Sequence, residues 1–179
     1  IAVINANRKD EKPGFEHLCA VGMGFIFCVS VLRELSNMGH FKDPRGGDIP
    51  FPDIMDLLDI VALSTVADVM DLHTLNRAFV VRGLEILQAR RMPGLRALAE
   101  VSGIKPRDPV TCQHLGWAIG PRINAGGRIS DSILGARLLA TDDPEEARRL
   151  ADELDACNTR RKAMEKDATD AAIEQIGDR

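Results

Sequence analysis

Tyrosine is absent from this 179-residue chain, tryptophan occurs once, and aromatic residues make up only 4% of it. Stacking of bases on aromatic platforms is therefore not expected to be its main way of holding a ligand. Nor is positive charge in excess: 23 Lys and Arg stand against 27 Asp and Glu, a net charge of −4, so any nucleic-acid surface must be local. The four cysteines (Cys19, Cys28, Cys112, Cys157) lie far apart, with no CxxC and no Cys/His ligand spacing. They read as reduced thiols of a cytoplasmic protein. No signal peptide or membrane span is read, because the apolar run Val21–Val31 is short and is followed by Arg33 and Glu34. What is present is a hydrophobic content of 45%, enough for a core, in a length suited to one domain or one and a half.

Ile1–Ile4 is a short β-branched run closed by Asn5 and Asn7, which predicts one N-terminal strand. A lone strand is not stable, and the chain opens on Ile rather than Met, so it is expected to be an internal piece of a larger protein. Pro13-Gly14 marks a turn. Helical recurrence follows from Glu16 to Asn37, with Gly39 as its stop. Pro52 to Asp68 predicts a second helix, almost wholly apolar in its second half. Between Gly46 and Asn76 lie Asp48, Asp53, Asp56, Asp59, Asp68 and Asp71 with no Lys or Arg. Asp53, Asp56 and Asp59 sit near the helix start, where the macrodipole favours negative charge and no function is needed.

Asp68 differs from them. It follows an apolar run and falls near a helix C-terminus, where a carboxylate is disfavoured. A partly buried carboxylate without a local base must find a cation, find donors or stay protonated. A divalent metal of the Mg²⁺ or Mn²⁺ kind is one answer; a cap or turn Asp bonded to nearby N–H groups is the other.

Further helices are predicted over Leu75–Arg90, Pro93–Val101, Pro109–Ile119 and Ser132–Ala140. Pro121 is expected to end the third of these and deliver the chain into Arg122-Ile-Asn124-Ala-Gly126-Gly127-Arg128. That segment reads as a turn between helices. Two guanidinium forks bracket an Asn and a Gly-Gly pair that can turn backbone N–H groups inward, a phosphate-binding arrangement. The competing reading is a surface loop whose arginines pair with Asp131 or with helix carboxylates. Asp143, Pro144 and Glu146 then open a helix as N-cap, first residue and capping-box partner. No Gly or Pro recurs before Gly177, which allows about 33 residues and roughly 50 Å of helix. Its thin apolar stripe is that of a bridging or paired helix.

The ordered set Ala2-Val-Ile-Asn5-Ala-Asn-Arg8, His17-Leu-Cys-Ala-Val-Gly-Met-Gly-Phe25, Ile60-Val-Ala-Leu-Ser-Thr-Val-Ala-Asp68-Val, Gly120-Pro-Arg122-Ile-Asn124-Ala-Gly-Gly127-Arg128, Thr141-Asp-Asp143 and Leu154-Asp-Ala-Cys-Asn158-Thr-Arg160-Arg161 resembles the RecJ-type single-stranded-DNA exonucleases of the DHH phosphoesterase superfamily. The resemblance runs over essentially the whole chain. It implies a mainly α piece: residues 1–72 as the C-terminal part of an α/β DHH catalytic domain, 73–141 as a helical region with the Arg-Asn-Gly-Arg motif, and 142–179 as a long helix towards an absent DHHA1-type domain. Asp68 is implied as catalytic residue and metal ligand in a two-metal Mn²⁺ or Mg²⁺ centre. Arg122, Asn124, Gly127 and Arg128 are implied as contacts to DNA phosphates. The implied reaction is 5′-to-3′ hydrolysis of single-stranded DNA in repair and recombination, in the cytoplasm, with no membrane and with other repair proteins as further partners. Paired metals about 3.5–4 Å apart activate water and stabilise the leaving oxygen.

The sequence also departs from that pattern. It holds no Asp-His-His motif, no two of its histidines are adjacent, and Ser64, Gly126 and Ala6 stand where Gly, Ala and Pro are expected. The isolated chain is accordingly expected to be inactive. Two other readings stay open: a DHH phosphodiesterase acting on short oligonucleotides or cyclic dinucleotides, and a non-catalytic replication scaffold of the same superfamily.

Overall fold

The computed structural model describes residues 3–8, 10, 14–43 and 46–177. It divides into two units, residues 1–86 and 87–179. Among the described residues the only β pairing is a single antiparallel bridge between Lys42 and Asp48. The strand expected over Ile1–Ile4 lies half outside the described residues, and Val3 and Ile4 are exposed coil. With no neighbouring strand to take its backbone groups, such a run has no ladder to join. Of the Pro13-Gly14 turn, Pro13 also lies outside the described residues, and Gly14 sits in a bend.

The first unit is built on α1 (Ala20–Asn37), α2 (Leu58–Ala67, entered through a 3₁₀ turn at Ile54–Leu57) and α3 (Thr74–Gln88). α1 starts four residues later than Glu16, because Cys19 caps it: its Sγ accepts from the Gly22 N–H at 3.4 Å. It stops where expected. Gly39 takes φ 75°, and the paired bonds Gly39 N–H to Ser36 O and His40 N–H to Leu35 O close a Schellman turn. Phe25 from α1, Leu58 and Val61 from α2, and Phe79 and Ile86 from α3 form the core with Leu18. Phe25 and Phe79 meet edge to face at 5.5 Å, the geometry that aligns ring edge with ring face. Gly83 lets α3 lie against α2: a Cβ there would stand 2.2 Å from the Leu58 carbonyl oxygen. Asn76 is fully buried and donates to the His17 and Asp71 carbonyls (2.7 and 3.0 Å), tying the two loops that flank the helices. By length and composition α1 could cross a bilayer, with mean hydropathy 1.3 over 18 residues. A helix that packs against a core passes the same measure of length and composition.

The second unit holds α4 (Pro93–Val101), α5 (Cys112–His114), a π segment (Leu115–Ile119), α6 (Gly120–Ile129), α7 (Leu134–Ala140) and α8 (Pro144–Ile176). α8 is one unbroken helix of 33 residues, as its sequence allowed. Ala147, Leu150, Ala151, Leu154, Cys157 and Asn158 are buried on its first half, and the residues from Lys162 onward are exposed. Its start differs in one respect. Asp143 is the N-cap, accepting from the Glu145 N–H at 2.9 Å, but Glu146 closes no capping box. Glu146 accepts from the Thr141 hydroxyl (2.7 Å) and from Arg137 (2.8 Å), and these donors, Thr141 first, hold it below the usual Glu range. Close helix approach again rests on glycines: a Cβ on Gly94 would meet the Leu138 carbonyl oxygen at 2.1 Å, and one on Gly126 would meet Leu154 at 2.8 Å.

Candidate nucleic-acid interface

The segment expected to be a turn is a helix. α5, the π segment and α6 run on without a break from Cys112 to Ile129, so Pro121 does not stop the chain. The reason lies just before it. In the π segment the Gly120 N–H reaches back five residues to the Leu115 carbonyl, which widens the turn where the proline ring would otherwise strike the preceding carbonyl. Pro121 then occupies the first turn of α6, where its missing N–H is not needed.

Helical geometry separates the predicted ligands. Asn124 and Arg128 are one turn apart on the same face, and both are exposed. With Gly116, Trp117 and Pro121 they line a cleft of about 540 Å³ whose other wall is Arg161, Lys162 and Glu165 of α8. Gly127 is exposed beside this face, but a Cβ there would meet nothing closer than 3.8 Å. Its position is not dictated by close packing. Arg122 points elsewhere. Its side chain is only 14% exposed. Nε donates to Asp155 at 2.8 Å, Nη1 to the Ala118 carbonyl at 2.7 Å, and Nη2 to the Val101 carbonyl at 3.5 Å. It ties the end of α4, the π segment and α8 together. Arg122 does not line the cleft.

The chain's sequence singled out neither Lys162 nor the cleft face of Trp117, although Arg161 stood inside one of its motifs. Arg161 carries an ion pair to Glu165 (2.7 Å) and a bond to Asn158 (3.3 Å), and its Nε is buried without a partner. The lining therefore presents three cations against one carboxylate, and that carboxylate is already engaged. A polyanion matches it.

Asp68, in the first unit, is the C-cap residue of α2 and is exposed, not partly buried. α2 ends at Ala67, and Val69 takes φ 55°, which turns the chain away and leaves the carboxylate on the surface. A β-branched residue in the left-handed region is a strained conformation of the kind that collects at functional sites. No group of three or more His, Cys, Asp or Glu able to hold a metal occurs among the described residues. Asp68 is therefore an exposed carboxylate outside any such group among the described residues. The opposite case is Asp59, expected near a helix start with no function to perform. It is 4% exposed, accepts from the Ile60 N–H at 2.6 Å, and is pushed up to about 6, chiefly by burial.

Comparison with known proteins bears on all of this at once. The chain is 41% identical over 166 residues to the single-stranded-DNA-specific exonuclease RecJ of Salmonella typhimurium, which is 92% of this chain and 28% of that protein. It is 35% identical over 170 residues to RecJ of Bacillus subtilis, covering 93% of the chain and 19% of the relative. Over this length the chain is similar to the RecJ exonucleases. Two solved structures agree with the fold. A RecJ exonuclease bound to manganese matches with TM-score 0.75 and 30% identity over 95% of this chain and 39% of that one. RecJ of Thermus thermophilus with Mn²⁺ matches with TM-score 0.68 and 32% identity over 82% of this chain and 20% of the other. No protein-family profile matches the chain. The chain spans under a third of the length of the RecJ relatives it resembles in sequence.

Proposed function

We propose that this chain is part of a metal-dependent exonuclease that hydrolyses single-stranded DNA, and that its own contribution to binding is the α6–α8 cleft. The observation that carries the proposal is the cleft itself: Asn124 and Arg128 of a RecJ-type motif share one face with Arg161 and Lys162 across about 540 Å³. Arg128 supplies a planar fork for a backbone phosphate, and Asn124 one turn before it supplies an amide donor. Gly127 leaves the backbone open to close approach.

Asp68 is the residue that would hold a Mn²⁺ or Mg²⁺ ion, through a carboxylate that α2 and the Val69 turn present to solvent. Such an ion, when bound, supplies an activated water and charge stabilisation for phosphodiester cleavage. We assign the chain to 5′-to-3′ degradation in DNA repair and recombination, in the cytoplasm, away from membranes and alongside other repair proteins. Residues 1–72, 73–141 and 142–179 would serve as the end of the catalytic domain, a DNA-binding helical region and a connecting helix. These finer assignments rest on the family resemblance.

The binding part is tested by fluorescence anisotropy of a labelled oligodeoxythymidylate across a salt series. Wild type should bind at low salt with log Kd linear in log salt, and Arg128→Ala should flatten the slope by roughly 0.7, one phosphate contact on a single strand. No binding at the lowest salt would refute the reading. In a full-length protein Asp68→Ala should abolish Mn²⁺-dependent nucleotide release while leaving binding in EDTA unchanged; retained hydrolysis would remove Asp68 from the metal centre.

A further inference from the structure

Trp117 is the chain's only tryptophan and is 81% exposed. Its position is unusual for so large an apolar ring, since burying it would gain more than almost any other side chain. It stands in the π segment, on the rim of the cleft whose other lining includes Arg128, Arg161 and Lys162. Neighbouring Leu115 and Ile119 are buried in the unit's core while Trp117, between them, faces out.

We propose that Trp117 is a base-stacking platform for the nucleic acid bound in this cleft, with Arg161 and Lys162 of α8 holding the phosphates that flank the stacked base. The proposal rests on the single-stranded-DNA reading given above and extends it to residues outside the Arg-Asn-Gly-Arg motif. An exposed indole beside small residues, Gly116 and Pro121, leaves a flat face accessible. A base offers that face a π surface whatever its identity, so stacking holds a strand without reading its sequence. The cations supply what the ring cannot. Lys162 is exposed, and Arg161 has a buried Nε without a partner in addition to its bond with Glu165. The cleft that Trp117 lines also presents Arg128, Arg161 and Lys162 against one carboxylate, Glu165, which favours a polyanion carrying flat bases.

The chain's composition makes the test direct. With one Trp and no Tyr, intrinsic fluorescence reports Trp117 alone. Oligodeoxythymidylate should quench it in a saturable way, with the same midpoint as the anisotropy of the labelled strand. An abasic strand of equal length should bind through its phosphates and leave the fluorescence unquenched. By anisotropy, Trp117→Ala should raise Kd for the base-bearing strand about 10-fold, the lower part of the range for one stacked base. Trp117→Phe should recover most of the loss. Arg161→Ala and Lys162→Ala should each weaken both strands and flatten the salt slope. If anisotropy shows binding while the indole stays unquenched and Trp117→Ala binds like wild type, the stacking role is wrong and the DNA reading survives. If neither readout responds to DNA, both fall together.

Discussion

Replacing Arg122 separates the two things an arginine in a RecJ-type motif can do. Its guanidinium is spent on Asp155 at 2.8 Å, on the Ala118 carbonyl at 2.7 Å and on the Val101 carbonyl at 3.5 Å. A hydrogen bond involving a charged group contributes about 1.5–3 kcal/mol net. The Asp155 side chain is 37% exposed, so solvent screening cuts that pair to about 1 kcal/mol. The Ala118 bond contributes roughly 1.5 kcal/mol, and the 3.5 Å contact adds little. Arg122→Ala should therefore destabilise the chain by about 2–3 kcal/mol, a fall of roughly 5–10 °C in melting temperature for a chain of this size. Circular dichroism at 222 nm reads it. Arg122→Lys should recover only part, because a point charge cannot serve Asp155 and a carbonyl together as the fork does. Below its melting temperature Arg122→Ala should keep the wild-type salt slope for single-stranded DNA, whereas Arg128→Ala should melt within about 0.5 kcal/mol of wild type, as a surface change does. An Arg122→Ala protein that melts like wild type yet loses the same salt slope as Arg128→Ala would refute the argument and restore Arg122 as a phosphate ligand.

Asp59 carries a pH signature. Its pKa in the folded chain is raised to about 6 by burial, so the folded state holds a proton that the unfolded state releases near pH 4. Stability should fall as pH rises from about 4 to about 6 and stay low above that, by about 2–3 kcal/mol in all. Asp59→Asn should remove this dependence and stabilise the chain at pH 7.5; urea midpoints that match wild type at both pH 4 and pH 7.5 would contradict it. Gly83→Ala and Gly94→Ala should each lower the melting temperature, although alanine is the better helix former by about 1 kcal/mol. The added methyl would sit 2.2 Å from the Leu58 oxygen or 2.1 Å from the Leu138 oxygen, and overpacking of that kind costs about 1–3 kcal/mol or more. A raised melting temperature for either would mean the helices part easily at that point.

Signals that act within one turn of chain were legible from the residues alone. Gly39 ends α1, Asp143 and Pro144 open α8, and Gly177 follows its last residue, because caps depend on side chains a few positions away. Pro121 was misleading for the opposite reason. Whether a proline breaks a helix depends on how the preceding turn is wound, and the π segment that admits it is held by Leu115 and Ile119 buried in the unit's core. Once that stretch is helical, Arg122 and Arg128 are roughly 120° apart around the axis, and only Arg128 lines the cleft. The same limit applies to charge: local pattern set Asp59 at a helix start favoured by the macrodipole and read Asp68 as partly buried, whereas Asp59 is buried and Asp68 exposed. Burial is decided by which face meets a neighbour, and α2, apolar nearly all round, gives no sign of that face. For function the consequence is specific. On the proposed reading, the motif's phosphate role would contract to Asn124 and Arg128, with Gly127 beside them, while Arg122 holds their helix against α8. The charge that Arg122 withholds from the cleft is supplied from α8 itself, by Arg161 and Lys162. A strand bound there would lie between two helices rather than in a loop, so its affinity should depend on how firmly Arg122 and Asp155 keep those helices in register.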